Sequence, residues 1–143
     1  MDKIQLIKIA NQARKNAYTP YSKFKVGAAL LCEDGSVVTG CNVENSSYPA
    51  GCCAERTAIF KAISEGKKKF RALAIMGGPA EGEVEDFCSP CGICRQVLSE
   101  FVEGNFPLYT ENGKGEIKEY TCRNFCPMLS RKKTSFPFEG IIL

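Results

Sequence analysis

Apolar residues recur at Leu6, Ile9, Ala10, Ala13 and Ala17, the spacing of one helical face, and predict a helix over residues 2–17. It is expected to stop near Tyr18-Thr19-Pro20-Tyr21, because proline disfavours helix at the residue before it. Phe24 to Leu31 reads as a buried strand, Glu33-Asp34-Gly35-Ser36 as a turn, and Val37 to Val43 as a returning strand that completes a hairpin. The turn-rich segment 45–51 leads into a second helix, from about Cys53 through Ile59, Phe60 and Ile63 to Gly66, where glycine can cap it. A largely apolar strand is expected over 70–76 and a glycine-rich acidic loop from Gly77 to Asp86. Ser89-Pro90 offers a serine N-cap with proline at the first helical position, so a third helix should follow with Cys94, Val97, Leu98 and Phe101, ending near Gly104. A strand from Phe106 to Thr110, an Asn112-Gly113 turn and a weaker strand around Glu116 to Tyr120 complete the pattern.

This order, helix, hairpin, helix, strand, helix, strand, predicts an α/β fold with a single mixed sheet of about five strands covered by helices on both faces. Later strands are joined through helices, so part of the sheet should be parallel. No repeat or linker divides the 143 residues, which read as a single domain over 1–143. No segment approaches the roughly 20 apolar residues of a membrane span, and the first residues mix charge with apolar groups as no signal peptide does. A net charge of +3 gives no argument for a nucleic-acid partner. Lys67-Lys68-Lys69 and Arg131-Lys132-Lys133 are short, lack interleaved aromatics, and read as solvated loops or helix ends.

The cysteines change the picture. Nine in a chain without an export signal indicate a reducing compartment, taken here as the cytoplasm, where thiols serve as ligands, catalysts or core residues. There is no histidine, so a metal site must use sulfur or oxygen. Cys53-Ala54-Glu55 and Pro90-Cys91-Gly92-Ile93-Cys94 together offer three thiols and one carboxylate. A closed structural zinc site takes four protein ligands, whereas a catalytic one keeps a position open. Cys53, Cys91 and Cys94 fall near predicted helix starts, whose partial positive charge favours thiolates, and thiolate softness selects zinc or an iron–sulfur cluster. Three thiolates around one Zn²⁺ leave a charge of −1, which would hinder acidification of bound water. Arg56 and Arg95 are candidates to offset it by hydrogen bonding to sulfur, Arg56 being preferred because it follows Glu55 in the same turn, with a surface arginine in an ion pair as the alternative. Glu55 is either the proton carrier of such a site or a first-turn glutamate that favours the helix dipole. Cys32 and Cys41 read as strand residues of the core, and Cys122 and Cys126 as a helically spaced pair. Cys52 or Cys88 as a fourth ligand would make the site closed, or a cluster.

These residues resemble a known family. Cys53-Ala54-Glu55-Arg56-Thr57-Ala58 and Pro90-Cys91-Gly92-Ile93-Cys94-Arg95-Gln96 are similar to the motifs of the small, homotetrameric zinc-dependent cytidine deaminases. Tyr18 to Ala28 and Gly40-Cys41-Asn42-Val43-Glu44-Asn45 resemble family segments in register, so the likeness covers roughly residues 1–120. It implies one Zn²⁺ per subunit on Cys53, Cys91 and Cys94, with Glu55 moving protons. It further implies Phe24 against the pyrimidine, Asn42 and Glu44 on the ribose hydroxyls, and an Ala54 backbone contact to the base. Ser46 and Tyr48 would approach a neighbouring subunit's ribose pocket. Many relatives carry a C-terminal Leu-Leu-Pro-x-x-Phe segment whose aromatic caps a partner's site. Here Phe125-Cys126-Pro127-Met128-Leu129-Ser130 has serine at that place, so the cap is supplied by Phe136 or Phe138 or is absent.

The activity implied is hydrolytic deamination of cytidine and 2′-deoxycytidine by zinc-activated water, in pyrimidine salvage, without nucleic-acid or membrane partners. Blasticidin S deamination on the same fold, a non-catalytic zinc-stabilised module, and a redox role for Cys91-x-x-Cys94 are the alternatives.

Overall fold

The computed structural model describes residues 1–125; the expectations for Cys126, Phe136, Phe138 and the second basic run lie outside the described residues. Helix α1 spans Lys3–Arg14. Asp2 caps it by accepting from the Gln5 amide at 2.8 Å, and the Gln5 side chain returns to the Asp2 amide, a capping box that an Asp-x-x-Gln sequence encodes. The helix is shorter than its periodicity implies. The amides of Lys15, Asn16 and Ala17 turn to carbonyls three residues back, and Tyr18 N–H donates instead to Asn42 at 3.0 Å.

Strands β1 (Phe24–Cys32) and β2 (Val37–Cys41) form the expected antiparallel hairpin, turning at Gly35 with φ of 86°. The second strand stops at Cys41 rather than Val43 because the Asn42 side chain replaces the ladder. Its Oδ1 accepts from Val26 N–H at 2.8 Å and its Nδ2 donates to the Phe24 carbonyl at 3.0 Å. Val43 then bridges Tyr18 and Cys52 singly. After a 3₁₀ turn at Tyr48–Ala50, helix α2 runs Ala54–Ser64. Gly66 ends it in the left-handed region at φ 84°, with Lys67 N–H on the Ala62 carbonyl and Gly66 N–H on Ile63, a Schellman closure.

Strand β3 (Phe70–Pro79) extends through Gly77 and Gly78, read above as loop, since the long β1 supplies Val26 and Lys25 as partners there. Helix α3 (Gly92–Phe101) has Cys91, not Ser89, as its N-cap, and Pro90 lies before the helix. Strands β4 (Pro107–Glu111) and β5 (Ile117–Thr121) and the short helix α4 (Cys122–Phe125) complete the chain. In their turn the left-handed residue is Gly115, φ 78°. Gly113 is instead pressed against Val84 and Glu85, where a side chain has no room.

The sheet order is β2-β1-β3-β4-β5, with β3 and β4 parallel and the other neighbours antiparallel. This is the mixed five-stranded sheet expected. One face is covered by α1, with Leu6, Ile7 and Ala10 packed on Ala29, Ala74 and Met76. The other carries α2 and α3, with Ala58, Ile59, Ala62 and Leu98 packed on Ala28, Leu30, Leu73, Ile75 and Leu108. Cys32 is buried as expected, whereas Cys41 is only half-buried.

Gly40 sets how close α2 lies to the sheet. A Cβ there would overlap the Ala54 carbonyl and the Ala58 amide, both backbone, so the helix could only move away. Gly40→Ala is expected to lower stability by about 1–3 kcal/mol. Gly92→Ala, where an added methyl meets nothing within 4 Å, is expected to change it by less than about 1 kcal/mol. Urea unfolding midpoints of the two variants check both.

Candidate active site

Both α2 and α3 pack on one face of the sheet, and their N-caps are Cys53 and Cys91. Neither cap side chain is used to satisfy its own helix, so both sulfurs remain available. Cys94 follows in the first turn of α3, fully buried. The three sulfurs lie within 4.8 Å of one another, and Cys53 Sγ is 3.7 Å from Cys91 Sγ. Tetrahedral zinc with Zn–S near 2.3 Å spaces its sulfurs about 3.8 Å apart, which the Cys53–Cys91 pair matches and the group as a whole approaches. Neither Cys52 nor Cys88 belongs to the group, the only such cluster among the described residues. Three thiols leave one tetrahedral position open.

The charges around these sulfurs are consistent with a cation site. The Cys53 thiol is pulled well below its ordinary range, first by a hydrogen bond from Cys94 and then by Arg56, whose Nη2 donates to Cys53 Sγ at 3.5 Å. Cys94 is pushed up, as the donor to Cys53 and through burial. The pair thus shares a proton that a metal would displace. The guanidinium of Arg56 is held more firmly protonated, chiefly by that bond to Cys53, and its buried Nε–H has no hydrogen-bond partner. Arg95, the other arginine considered, directs Nε to the Pro90 carbonyl at 2.8 Å and lies over the Phe125 ring. Cys88 is pushed up to about 12, by burial first and then by the Glu55 and Cys53 charges, which keeps it a thiol.

Glu55, in the first turn of α2, is 4% exposed. Burial pushes its carboxyl up to about 7, with the Cys53 charge adding to the effect. Such a group exchanges a proton near neutral pH, as a general acid–base must. A cleft of about 440 Å³ opens at Cys53 and Arg56, lined also by Asn42, Glu44 and Tyr48, whereas Glu55, Cys91, Cys94, Phe24 and Ala54 are not among its lining residues. Asn42 has one amide N–H left after its two backbone bonds. Oε1 of Glu44 accepts from the amides of Tyr21 and Ser22, both at 3.1 Å, and Oε2 remains to accept more.

Phe24 is 43% exposed at the start of β1, its ring close to Gly77 beside Cys88. Ala54 is fully buried at the first position of α2, where helix amides have no intrahelical partner. Tyr48 stands 82% exposed at the cleft, and Ser46 is exposed but is not part of its lining. The structure adds Tyr21, Ser22 and Cys52 to the cleft wall. Their signal in the sequence is weak, because Tyr21 and Ser22 act through backbone amides that any residue carries.

Comparison with known proteins gives the same assignment. Residues 1–110 match the family model of the cytidine and deoxycytidylate deaminase zinc-binding region. The chain is 50% identical over 140 residues to the cytidine deaminase of Sporosarcina psychrophila, covering 97% of this chain and 99% of the relative. The crystal structure of cytidine deaminase from Burkholderia pseudomallei superimposes with a TM-score of 0.82 at 41% identity, covering 91% of this chain and 100% of that one. Similarity to the blasticidin-S deaminase of Bacillus cereus is lower, 31% over 114 residues, covering 78% of this chain and 81% of the relative. With the match spanning both cysteine motifs and the whole sheet core, this chain belongs to the cytidine and deoxycytidylate deaminase family.

Proposed function

We propose that this chain converts cytidine and 2′-deoxycytidine to uridine and 2′-deoxyuridine with release of ammonia, as a zinc-dependent hydrolase of pyrimidine salvage. The observation that carries this reading is a buried carboxyl, Glu55, set against a three-thiol group beside a cleft with hydroxyl-binding groups. Cys53, Cys91 and Cys94 would hold zinc, which when bound supplies the Lewis acidity that makes water a nucleophile at neutral pH. Glu55 takes one proton from the attacking water and delivers it to ring N3. It then passes the second proton to the exocyclic nitrogen as the C4–N4 bond breaks and ammonia leaves. Arg56 offsets the excess negative charge of the three sulfurs through its bond to Cys53.

Substrate placement follows from the remaining groups. Glu44 accepts from a ribose hydroxyl through its free oxygen while Asn42 donates its spare N–H. Phe24 packs against the pyrimidine and the Ala54 backbone meets the base. This set is matched to a free nucleoside, and the lower similarity to blasticidin-S deaminase supports that preference. The working form is a homotetramer in the cytoplasm, with Ser46 and Tyr48 reaching a neighbouring site. The exposed Tyr48 on the cleft wall supports a partner at this mouth. Among the described residues no helix is long and apolar enough to cross a membrane.

Incubation with cytidine, followed by the ultraviolet change on loss of the 4-amino group, tests the reaction directly. Glu55→Ala is expected to keep stoichiometric zinc while kcat falls about 10²–10⁴-fold. An active Glu55→Ala protein would remove Glu55 from the mechanism.

The pH dependence of stability tests the Glu44 clamp. Hydrogen bonding from Ser22, through its side chain and then its amide, holds the Glu44 carboxylate below its ordinary value of 4.5. A carboxylate with a depressed folded-state pKa stabilises the fold fully above its unfolded value and loses that contribution as pH falls through the folded one. Urea unfolding should therefore show wild type more stable than Glu44→Gln at neutral pH, with the difference shrinking only below about pH 4.5. A gap that stays constant into acid would refute the clamp.

A further inference from the structure

Cys91 closes the segment 80–91, which runs between β3 and α3 without a helix or strand of its own. A ligand on so long a connection needs fixed points, since a loop held only at its ends samples many positions. The first points lie far from Cys91. Arg14, buried at the end of α1, donates to the carbonyls of Pro79 and Gly82, both at 3.2 Å. Gly113 N–H then meets the Glu85 carbonyl at 3.1 Å, and the Lys118 ammonium lies 4.0 Å from the Phe87 ring centre. Nearer Cys91, the Pro90 carbonyl is bound by Arg95, but Arg95 belongs to α3, the helix Cys91 caps, and moves with it.

The sheet contact nearest to Cys91 is a hydrogen bond. The Cys88 amide donates to Thr110 Oγ1 at 3.1 Å. Thr110 is 2% exposed on β4 and follows Leu108, a core residue two positions earlier on the same sheet face. A hydroxyl at the end of that apolar row is unfavourable unless it is bonded, whereas valine has the same shape without that cost. The bond to Cys88 gives the hydroxyl its reason to be there. Cys88 is also a junction. Its sulfur and the Phe24 ring both crowd the space over Gly77, so displacement of its backbone would disturb the pyrimidine wall along with the ligand loop.

We propose that Thr110 is a positioning residue for the metal centre, its buried hydroxyl fixing to the sheet the backbone that presents Cys91. This rests on the assignment of Cys53, Cys91 and Cys94 as zinc ligands. Partners that orient metal ligands change metal affinity about 10–100-fold when removed, and a preorganised ligand segment acts mainly by slowing release.

The test uses the full-length zinc-loaded protein and follows zinc transfer to a chromogenic chelator. Thr110→Val is expected to release zinc about tenfold faster, and Thr110→Ser to restore the parent rate. In cobalt-substituted protein the ligand-field bands of the valine form should shift while those of the serine form match the parent. A merely structural threonine would lower the melting temperature of the valine form and leave both readouts unmoved. If the valine protein does not fold, Thr110→Ala, which removes the hydroxyl without adding a buried methyl, is measured in its place. Parent-like zinc release from the variant lacking the hydroxyl, or release from the serine form as fast as from it, overturns the proposal. Failure of the parent to hold zinc would overturn the ligand assignment, and this inference with it.

Discussion

Three sulfurs held within 4.8 Å of one another are the constraint around which the rest of the molecule is arranged. Thiolates at that separation repel, and a thiol in place of any one of them gives up a ligand. The fold relieves the repulsion with fixed positive ends. Cys53 and Cys91 cap two different helices, so each sulfur lies at the positive end of a dipole, and Arg56 adds a full charge at 3.5 Å from one of them. None of this would last on a soft scaffold. The two helix starts keep their spacing because both helices pack on the same rigid sheet face, α2 through the close approach that Gly40 permits.

The same compactness sets the chemistry of Glu55. A carboxyl at a helix N-terminus would ordinarily be favoured as the anion by the dipole. Here burial is the larger effect, and a sulfur charge beside it acts in the same direction, so the group is moved toward neutral pH. The sulfur anion held there thus makes the neighbouring carboxyl a weaker acid, with burial and against the opposing pull of Arg56. Two residues two positions apart, Cys53 and Glu55, gain opposite shifts, Cys53 first from Cys94 on α3 and Glu55 first from burial, which separates the proposed roles of ligand and proton carrier.

The sequence made legible what depends on local pattern and residue chemistry. The hairpin, the three helices, the parallel β3–β4 pair and the three-thiol group all follow from periodicity, turn residues and cysteine spacing. What it missed depends on contacts between distant segments. Ser89-Pro90 is a good helix start in isolation, but the helix begins after Cys91. Gly77 and Gly78 look like loop until β1 offers them a ladder. Asn42 ends a strand with its side chain, and Arg14, an unremarked polar residue on α1, is buried holding a loop 65 to 68 residues away. Asn112-Gly113 looks like the turn centre, yet the positive φ falls on Gly115 while Gly113 makes room for Val84 and Glu85. Phe24, Asn42, Glu44, Ala54, Ser46 and Tyr48 enter only through resemblance, since a lone phenylalanine or an Asn-x-Glu pair carries no chemistry of its own.

The cleft of a single chain is more open than the proposed chemistry favours. Proton transfer through Glu55 is most effective where bulk water is kept out and the local dielectric is low. Glu55 itself meets that condition, but Phe24 is nearly half-exposed and Tyr48 almost wholly so. The interior of the site is thus finished within one chain while its rim is not. Among the described residues the missing cover could come only from collapse of the rim, and there Glu44, Tyr21 and Ser22 are already locked together by hydrogen bonds. Cover from outside the described residues is then the simpler solution, and an apolar rim around a hydroxyl-binding pair is a surface suited to receive it. In the proposed tetramer the work would be divided accordingly, the metal group and proton carrier lying within one subunit and the exclusion of water being shared.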